Sequence, residues 1–376
     1  MVVEELLRAM MDAGASDLHL SVGDVPVLRR DGLLERLDTG LLDEAWMNAA
    51  LERLLGPERC EHLHRARECD VAVEAAGGRF RANAFFNRKG PALVLRHVHA
   101  TPPCLASLGA PETLVRLADL DQGLVLITGP TGSGKSSTLA GMIRHVNETG
   151  ARHVVTIEDP IEFVHESRRA LVTQREVGRD TLGFGPALRS ALREDPDVIL
   201  VGEMRDHETI ALALTAAETG HLVLGTLHTS SAHRALLRIV DAMPAAGRDM
   251  ARAMLAASLQ GVVAQTLLPK IGGGRVAAFE VLVGTHAVRH MIQENQPAQI
   301  YSAMQTGARH GMRTMADAVA AHIRAGLVDS SVADAALRAL AGDVLEEAEE
   351  ARAAAPPARR TEAPPADDRR SRGWTF

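Results

Sequence analysis

The hydrophobic and polar positions of the chain follow two patterns that meet near residue 100. In the first block, short alternating runs are separated by turn residues, a pattern that predicts strands. The predicted strands cover residues 18–22, 25–29, 69–75, 79–86 and 92–98. Helices are predicted at 2–11 and at 42–55, where the second ends before Gly56 and Pro57. We therefore expect an α+β domain over residues 1–100 and a linker at 101–112, which opens with Thr-Pro-Pro.

The second block alternates wholly apolar strands with helices. Strands are predicted at 123–128, 153–157, 198–201 and 222–226, and the helices include 137–146, 186–193 and 206–219. This alternation is typical of a parallel, doubly wound α/β sheet, in which ligands bind beyond the carboxyl ends of the strands. Further helices are predicted at 245–266 and beyond residue 285. We expect this domain to span 113–345 and the residues 346–376, rich in Ala, Pro, Arg and acids, to form a disordered tail.

Composition narrows the class of protein. The 376 residues carry a formal net charge of −7, which disfavours a nucleic-acid binder with a generally basic surface. The three cysteines have no C-x-x-C spacing, so neither a structural zinc site nor a disulfide framework is expected. Because the sequence has no signal-peptide pattern and no uncharged apolar run of transmembrane length, we expect a cytoplasmic protein.

The sequence GPTGSGKS at residues 129–136 fits the phosphate-binding template G-x-x-x-x-G-K-[ST] between a predicted strand and a predicted helix. Its glycines let backbone N–H groups surround phosphate oxygens, and the start of the helix favours negative charge. Lys135 is one of only three lysines among 41 basic residues, so composition alone does not account for its place here. We expect Lys135 to reach the phosphates of ATP and Ser136 to hold Mg²⁺. The predicted nucleotide-binding residues are Thr131, Gly132, Ser133, Gly134, Lys135, Ser136 and Ser137.

Acidic residues follow two further predicted strands. Glu158, Asp159 and Glu162 place three carboxylates within five residues, and these would repel one another unless they served a bound Mg²⁺ or an ordered attacking water. We predict that Glu158 is a metal ligand; the alternative is a solvated acidic loop. The strand at 198–201 leads to Glu203, at the position where P-loop ATPases carry an acid on the metal side, more often Asp. The alternative for Glu203 is an acid that stabilises the start of the next helix.

Two histidines, His221 and His228, frame the strand predicted at 222–226, which we expect to neighbour the phosphate loop. We predict that they sense the γ-phosphate or link the nucleotide state to domain movement. Metal binding is the weaker alternative, because no further Cys or His completes a ligand set at suitable spacing. In the first block, Arg81 and Arg96 lie on successive predicted strands, but arginine is abundant and position alone indicates only surface charge.

Four segments recur together in one known superfamily. They are the phosphate loop GPTGSGKSS, the Asp box TIEDPIEF (156–163), the atypical Walker B segment DPDVILVGEMRD (195–206) and the His box TAAETGHLVLGTLHT (215–229). With them the chain resembles the secretion ATPase superfamily and, within it, the type IV pilus retraction ATPases. ASDLHL (15–20), QTLLPKIGGGRVAAFEVLVGT (265–285) and AVRHMIQE (287–294) are similar to further signatures of that branch. The resemblance spans roughly residues 1–340, which makes it far more specific than a phosphate loop alone.

The resemblance implies a homohexameric ring in which each subunit has a PAS-like N-terminal domain and a RecA-like ATPase core, with ATP and Mg²⁺ between them. Arg81 and Arg96 match positions from which the N-terminal domain contacts the phosphates, where they would offset charge on the γ-phosphate. Glu162 matches the Asp-box glutamate that polarises the attacking water. Glu203 matches the Walker B glutamate, and the two histidines match the His-box positions.

The function implied is ATP hydrolysis that drives pilin disassembly, and hence pilus retraction and twitching motility. The expected partners are an inner-membrane pilus platform protein, at the cytoplasmic face of that membrane, and a related ATPase. The tetracysteine zinc module of the assembly ATPases is absent, which favours the retraction type. Three alternatives stay open: a PilU-like accessory ATPase, a RecA-like nucleic-acid translocase, and a module that binds ATP but scarcely hydrolyses it. No nucleic-acid partner is expected.

Overall fold

The computed structural model describes residues 2–30, 32–98, 101–333 and 338. Two sheets organise these residues, one formed by strands before residue 99 and one by strands after residue 122. We call them, with their helices, the N-terminal unit and the C-terminal unit. The predicted tail at 346–376 lies outside the described residues. The domain limits proposed above stay a prediction, although each sheet falls inside one of the two blocks.

The N-terminal unit is a six-stranded antiparallel sheet in the order β3-β2-β1-β6-β5-β4 with three helices. Its strands are β1 Asp17–Ser21, β2 Val27–Arg30, β3 Leu33–Arg36, β4 Glu68–Ala75, β5 Gly78–Asn87 and β6 Gly90–Val98. Its helices are α1 Val3–Asp12, α2 Glu44–Leu55 and α3 Pro57–Ala66. The sequence analysis did not predict α3. Gly56 turns the chain with a φ of 76°, and Pro57 then starts a new helix at its first position, where proline is well tolerated.

Alternation along the strands assigns the two faces of this first sheet. Phe80, Ala82 and Ala84 on β5 are completely buried in the cluster that also takes side chains from α1, α2 and α3. Because side chains alternate between faces with a period of two, Arg79 and Arg81 share the opposite face. The helices therefore cover one face, and the arginines project from the other.

The C-terminal unit is a seven-stranded sheet in the order β13-β12-β7-β11-β10-β8-β9. All its neighbouring strands run parallel except the pair β12 and β13. The strands are β7 Gly123–Thr128, β8 His153–Glu158, β9 Leu171–Glu176, β10 Val198–Val201, β11 Leu222–Leu227, β12 Leu259–Pro269 and β13 Arg275–Val283. The helices are α4 Glu112–Ala118, α5 Lys135–Thr149, α6 Phe184–Ala191, α7 His207–Glu218, α8 Ala232–Asp241, α9 Arg248–Ser258, α10 His286–Gln293, α11 Pro297–Thr306 and α12 Met315–Arg324. Two single 3₁₀ turns are Ala245–Gly247 and Ala308–His310.

The predicted mainly parallel sheet is confirmed, but the helix predicted at 245–266 is wrong in its second half. The helix ends at Ser258 and the chain continues as β12, which pairs with β7. An apolar run buried on both faces of a sheet does not show the two-residue alternation of a half-exposed strand. Periodicity therefore does not distinguish such a strand from a buried helix. At Gly261 a side chain would collide with Leu117, so the glycine permits close packing onto the helix below. β13 and β9 were also not predicted.

The strands β7, β10 and β11 are buried at every residue, as their sequences predict. Because these strands run parallel with β8, the segments that follow each of them lie at one edge of the sheet.

The described part of the chain contains no helix with the length and apolar character that a membrane span requires.

Candidate functional site

The phosphate loop connects the end of β7 to the start of α5 in a backbone shape that requires glycine. Gly129 and Gly134 have φ angles of 145° and 90°. A side chain at Gly129 would also collide with the backbone carbonyl of Gln265, and one at Gly134 with the Gln265 amide at 2.8 Å. The first turn of α5 has no side-chain cap and no acidic residue. Its N–H groups are therefore available to an anion, and the helix dipole favours one.

The side chains of the loop fit a phosphate ligand. The Lys135 ammonium lies 2.7 Å from the carbonyl oxygen of Gly129 and 3.1 Å from that of Pro130. Burial lowers the pKa of Lys135, while Glu203 and Glu162 favour its charged form. The Ser133 hydroxyl is buried and has no hydrogen-bond partner among the described residues. A positive charge tied only to backbone and an unpartnered buried hydroxyl both suit phosphate oxygens.

The predicted loop residues differ in exposure. Thr131 and Gly132 are exposed, and space around Gly132 is open. Ser136 and Ser137 are half-buried in the first turn of α5. Ser136 therefore occupies the place that a Mg²⁺-binding hydroxyl takes in this kind of loop.

Glu203 follows β10, and its carboxylate contacts the side chains of Arg205 and His228. Arg205 donates to both oxygens, at 2.5 Å and 2.7 Å, and His228 Nε2 lies 2.9 Å from Oε1. Burial alone would raise the pKa of Glu203, but the Arg205 guanidinium and the His228 ring hold it below its usual value. Asp206 caps α7 by accepting a 2.8 Å bond from Thr209 N–H, and stabilisation of this helix by Glu203 through the helix dipole stays a prediction beside its metal-side role.

The Asp box begins on the last residues of β8 and continues beyond the strand, so that its acids lie in two environments. The Glu158 carboxylate accepts hydrogen bonds at Oε1 from Thr156 at 2.7 Å and from Gln174 at 3.0 Å. Burial raises the pKa of Glu158, and Glu162 acts in the same direction. Glu162 itself is exposed. Both Glu162 and Glu203 act electrostatically on Lys135, so the acids that follow β8 and β10 reach the phosphate loop.

Among the described residues, no group of three or more His, Cys, Asp and Glu side chains could hold a metal ion by itself. Mg²⁺ at nucleotide sites takes one or two protein ligands and completes its shell with phosphate oxygens and water. The Ser136 hydroxyl, next in the chain to Lys135 on which both acids act, therefore fits Mg²⁺ that arrives with a nucleotide. Both bonds received by Glu158 end on Oε1, and its assignment as a metal ligand stays a prediction.

Arg81 and Arg96 lie directly opposite each other on β5 and β6. Arg81 is paired with Asp70, with its closest contact at 2.5 Å, and Arg96 with Asp17 at 2.9 Å. The Asp70 carboxylate raises the pKa of Arg81 most, and Asp159 and Glu162 of the C-terminal unit contribute as well. The structure thus brings Arg81 within electrostatic reach of the Asp box, with Arg96 beside it.

The two histidines occupy opposite ends of β11. His228 lies at the carboxyl edge with Glu203, whereas His221 precedes the strand and its ring nitrogen is 3.0 Å from the carbonyl of Ala216. A six-residue strand separates its ends by about 20 Å. The prediction that β11 neighbours the strand of the phosphate loop is confirmed. The structure does not bring His221 to that loop, and its observed contact links the end of α7 to the start of β11.

Three residues that contribute to this site were not predicted from the sequence. Arg205 pairs with Glu203, and its only signal was a basic residue two positions after the acid. Gln265 supports the phosphate loop from β12 and accepts a 2.7 Å bond from the Thr138 hydroxyl. Arg79 contacts Glu176 from the other unit, at 3.3 Å. The last two depend on contacts between residues far apart in the chain, for which one sequence carries no local signal.

Comparison with known proteins gives consistent matches. The profile of the family described as "Type II/IV secretion system protein" matches residues 68–273. The type IV pilus retraction ATPase PilT of Pseudomonas aeruginosa is 51% identical over 329 residues, which cover 87% of this chain and 96% of that protein. The type IV pilus ATPase PilU of the same organism is 38% identical over 321 residues, covering 85% and 84%.

A solved structure matches the whole arrangement. The crystal structure of the pilus retraction motor PilT with bound ADP has a TM-score of 0.82 at 44% identity, and the match covers 89% of this chain and 96% of that one. The matched part of the chain includes strands of both units and the phosphate loop between β7 and α5. The chain belongs to the Type II/IV secretion system protein family, in the branch of the type IV pilus retraction ATPases.

Proposed function

We propose that this chain is the subunit of an ATP-hydrolysing motor that drives type IV pilus retraction. The observation that carries the proposal is the Glu203 carboxylate, positioned by Arg205 and His228 within electrostatic reach of Lys135. An acid fixed in place beside a phosphate loop suits hydrolysis better than mere retention of ATP.

Binding of ATP would begin with the loop. The N–H groups at the start of α5 and the Ser133 hydroxyl would hold the phosphate oxygens, with Thr131, Gly132, Ser136 and Ser137 around them. Lys135 would exchange its two carbonyl contacts for the β- and γ-phosphates. Mg²⁺, with Ser136 and Glu158 as protein ligands, would supply positive charge against the phosphates.

Hydrolysis transfers the γ-phosphoryl group of ATP to water and leaves ADP. We assign Glu162 to the water: it is exposed, lies on the loop after β8, and its carboxylate would take a hydrogen bond from the attacking molecule. The water oxygen forms the new bond to phosphorus, the bond to the β-phosphate oxygen breaks, and the proton released passes to a carboxylate. Glu203 would orient the same water. His228, which contacts Glu203, would couple a movement of that carboxylate to β11.

The N-terminal unit would supply the remaining charge. Arg81 and Arg96 project from the face of the sheet that the helices leave uncovered. If each exchanged its aspartate for phosphate oxygens, two guanidinium groups would offset charge that develops on the γ-phosphoryl group, as arginine fingers do. That exchange would make hydrolysis depend on how the two units sit together.

The assembly we propose is a homohexamer of subunits with a PAS-like N-terminal domain and a RecA-like core. It would act on an inner-membrane pilus platform protein from the cytoplasmic side, with a related ATPase as a further partner. The PilU-like accessory role ranks second, because identity to PilU is 38% against 51% to PilT. Nucleic-acid translocation ranks third, given the net charge of −7.

The testing experiment measures ATP turnover by the purified chain with and without DNA, and pilus retraction in cells that lack their own retraction ATPase. Turnover that is independent of DNA, together with restored retraction, supports the motor. Strong stimulation by DNA would replace it with the translocase. Turnover without restored retraction would favour the accessory role.

A further inference from the structure

One buried ion pair joins the two units. Arg79 of β5 donates from Nη2 to Glu176 Oε2, at the end of β9, across 3.3 Å. The side chains are only 13% and 7% exposed, unlike the more open pairs of Arg81 and Arg96. Arg79 and Arg81 alternate onto the same face of the first sheet, so both are presented to the C-terminal unit together.

The same carboxylate oxygen has a second partner in the Asp box. Glu176 Oε2 accepts a 3.1 Å hydrogen bond from the backbone N–H of Ile161, the residue before Glu162. Glu176 also lies beside Glu158 in the register of β8 and β9. One atom therefore links an arginine of the N-terminal unit to the segment that carries the proposed water-positioning glutamate.

Because the pair of Arg79 and Glu176 is buried, the loss of either partner has a large energetic cost. A carboxylate removed from water needs a charged or hydrogen-bonding partner, and the loss of one partner from a buried pair leaves a costly unpaired charge. If Arg79 withdrew, the Ile161 bond would be the one partner left to the Glu176 carboxylate among the described residues, in a poorly solvated place, and water or the carboxylate itself would have to move to compensate. The Ile161 anchor would then loosen, because it shares the oxygen that moves.

We infer that Arg79 is a positioning residue for ATP hydrolysis. Through Glu176 it fixes Ile161, and with it the placement of Glu162, only while the N-terminal unit is seated on the C-terminal unit. This inference rests on the proposed function, since it deepens the role given to Glu162. It adds a second contribution from β5, distinct from the phosphate contacts proposed for Arg81, because Arg79 acts on the loop and not on the nucleotide.

The test uses the full chain with Arg79→Gln, Arg79→Lys and Arg79→Gln/Glu176→Gln. We expect Arg79→Gln to lower kcat about tenfold or more, as small misplacement of a reacting group does, while ADP affinity stays within about twofold. Arg79→Lys should recover part of the rate that Arg79→Gln loses, because lysine restores the positive charge but lacks the planar guanidinium group with its paired N–H donors. The double variant should cost little more than the single one, as expected of two residues that act as a unit.

Two further readouts separate positioning from folding. Hydrogen exchange of the amides at 161–163 should become faster in Arg79→Gln, with the melting temperature nearly unchanged. Arg175→Gln is the matched control: it breaks the 2.9 Å pair with Glu194 one residue from Glu176, entirely within the C-terminal unit, and should leave kcat and exchange at 161–163 as in the wild type.

The inference is overturned if Arg79→Gln keeps its kcat, if ADP affinity and melting temperature fall along with kcat, or if Arg175→Gln has the same effect. A wild-type chain without turnover would contradict the proposed function instead. The exchange measurement still decides the link between Arg79 and Ile161 in that case, so the two failures are distinguishable.

Discussion

Arg81 faces Arg96 directly across neighbouring antiparallel strands, although like charges in that position repel each other. Asp70 and Asp17 neutralise the two guanidinium groups from the flanking strands. The arrangement keeps two positive charges side by side at the face that meets the C-terminal unit. In the proposed function, each arginine would exchange its aspartate for phosphate oxygens.

The first prediction concerns these arginines. Arg81→Gln or Arg96→Gln should each lower kcat by roughly 10²-fold or more, because an arginine finger stabilises charge that appears only in the transition state. Steady-state turnover checks this. Arg30→Gln is the control, since it removes an exposed pair with Glu35 on the same sheet and should change turnover by less than about twofold. Equal effects in all three variants would contradict the phosphate role.

Lys135→Ala should abolish turnover and leave the fold intact. Its ammonium contacts the carbonyls of Gly129 and Pro130, both in the loop itself, so its removal costs a phosphate contact and little packing. Turnover, nucleotide binding and a thermal melt monitored by circular dichroism check this. Lys270→Ala, on the turn between β12 and β13, is the matched lysine control. Turnover that survived in Lys135→Ala would show that the phosphates bind elsewhere.

Glu203→Gln should retain nucleotide binding but slow turnover by about 10²-fold, the scale of a single acid–base or electrostatic group. The variant also loses the ion pair with Arg205 and changes the charged group that contacts His228. Single-turnover kinetics with bound ATP separates chemistry from binding. Glu208→Gln serves as the control because it also replaces a glutamate that follows β10, and its exposed pair with Arg189 joins α7 to α6. An unchanged rate in Glu203→Gln would assign the carboxylate a structural role.

Stability should fall on mild acidification because of His165. Burial lowers the pKa of His165 to about 4. Between pH 6.5 and 4 the unfolded chain therefore binds a proton that the folded chain does not, so this stability is complete above pH 6.5 and is lost as the pH falls. The loss should reach about 2 kcal/mol at pH 5.

Urea unfolding of wild type and His165→Gln at pH 7.5 and pH 5 measures that loss. The variant keeps the backbone N–H of residue 165, which donates to Gln174 at 2.8 Å, so only the ring is changed. Its stability should decline less than that of the wild type over this interval. Parallel declines would show that other groups govern the acid sensitivity.

The parallel strands and their chemistry could be predicted because both are local in sequence. An apolar run followed by Lys135 or Glu203 defines a buried strand and the edge at which its motif lies. The two histidines were likewise predicted to frame β11, and the direction of that strand places His228, not His221, at its carboxyl end. Edge strands and contacts between the units carry no such signal, since the pairing of Arg79 with Glu176 joins residues that are 97 positions apart.

The position of β9 at the edge of the seven-stranded sheet has a mechanical consequence. An edge strand is hydrogen-bonded on one side only, and here that side is β8. A pull on the N-terminal unit through Arg79 would load the last residue of β9, so tension would reach the outermost strand before the central ones. The strands β10, β11 and β7, which lie further into the sheet, would be loaded only after β9 and β8.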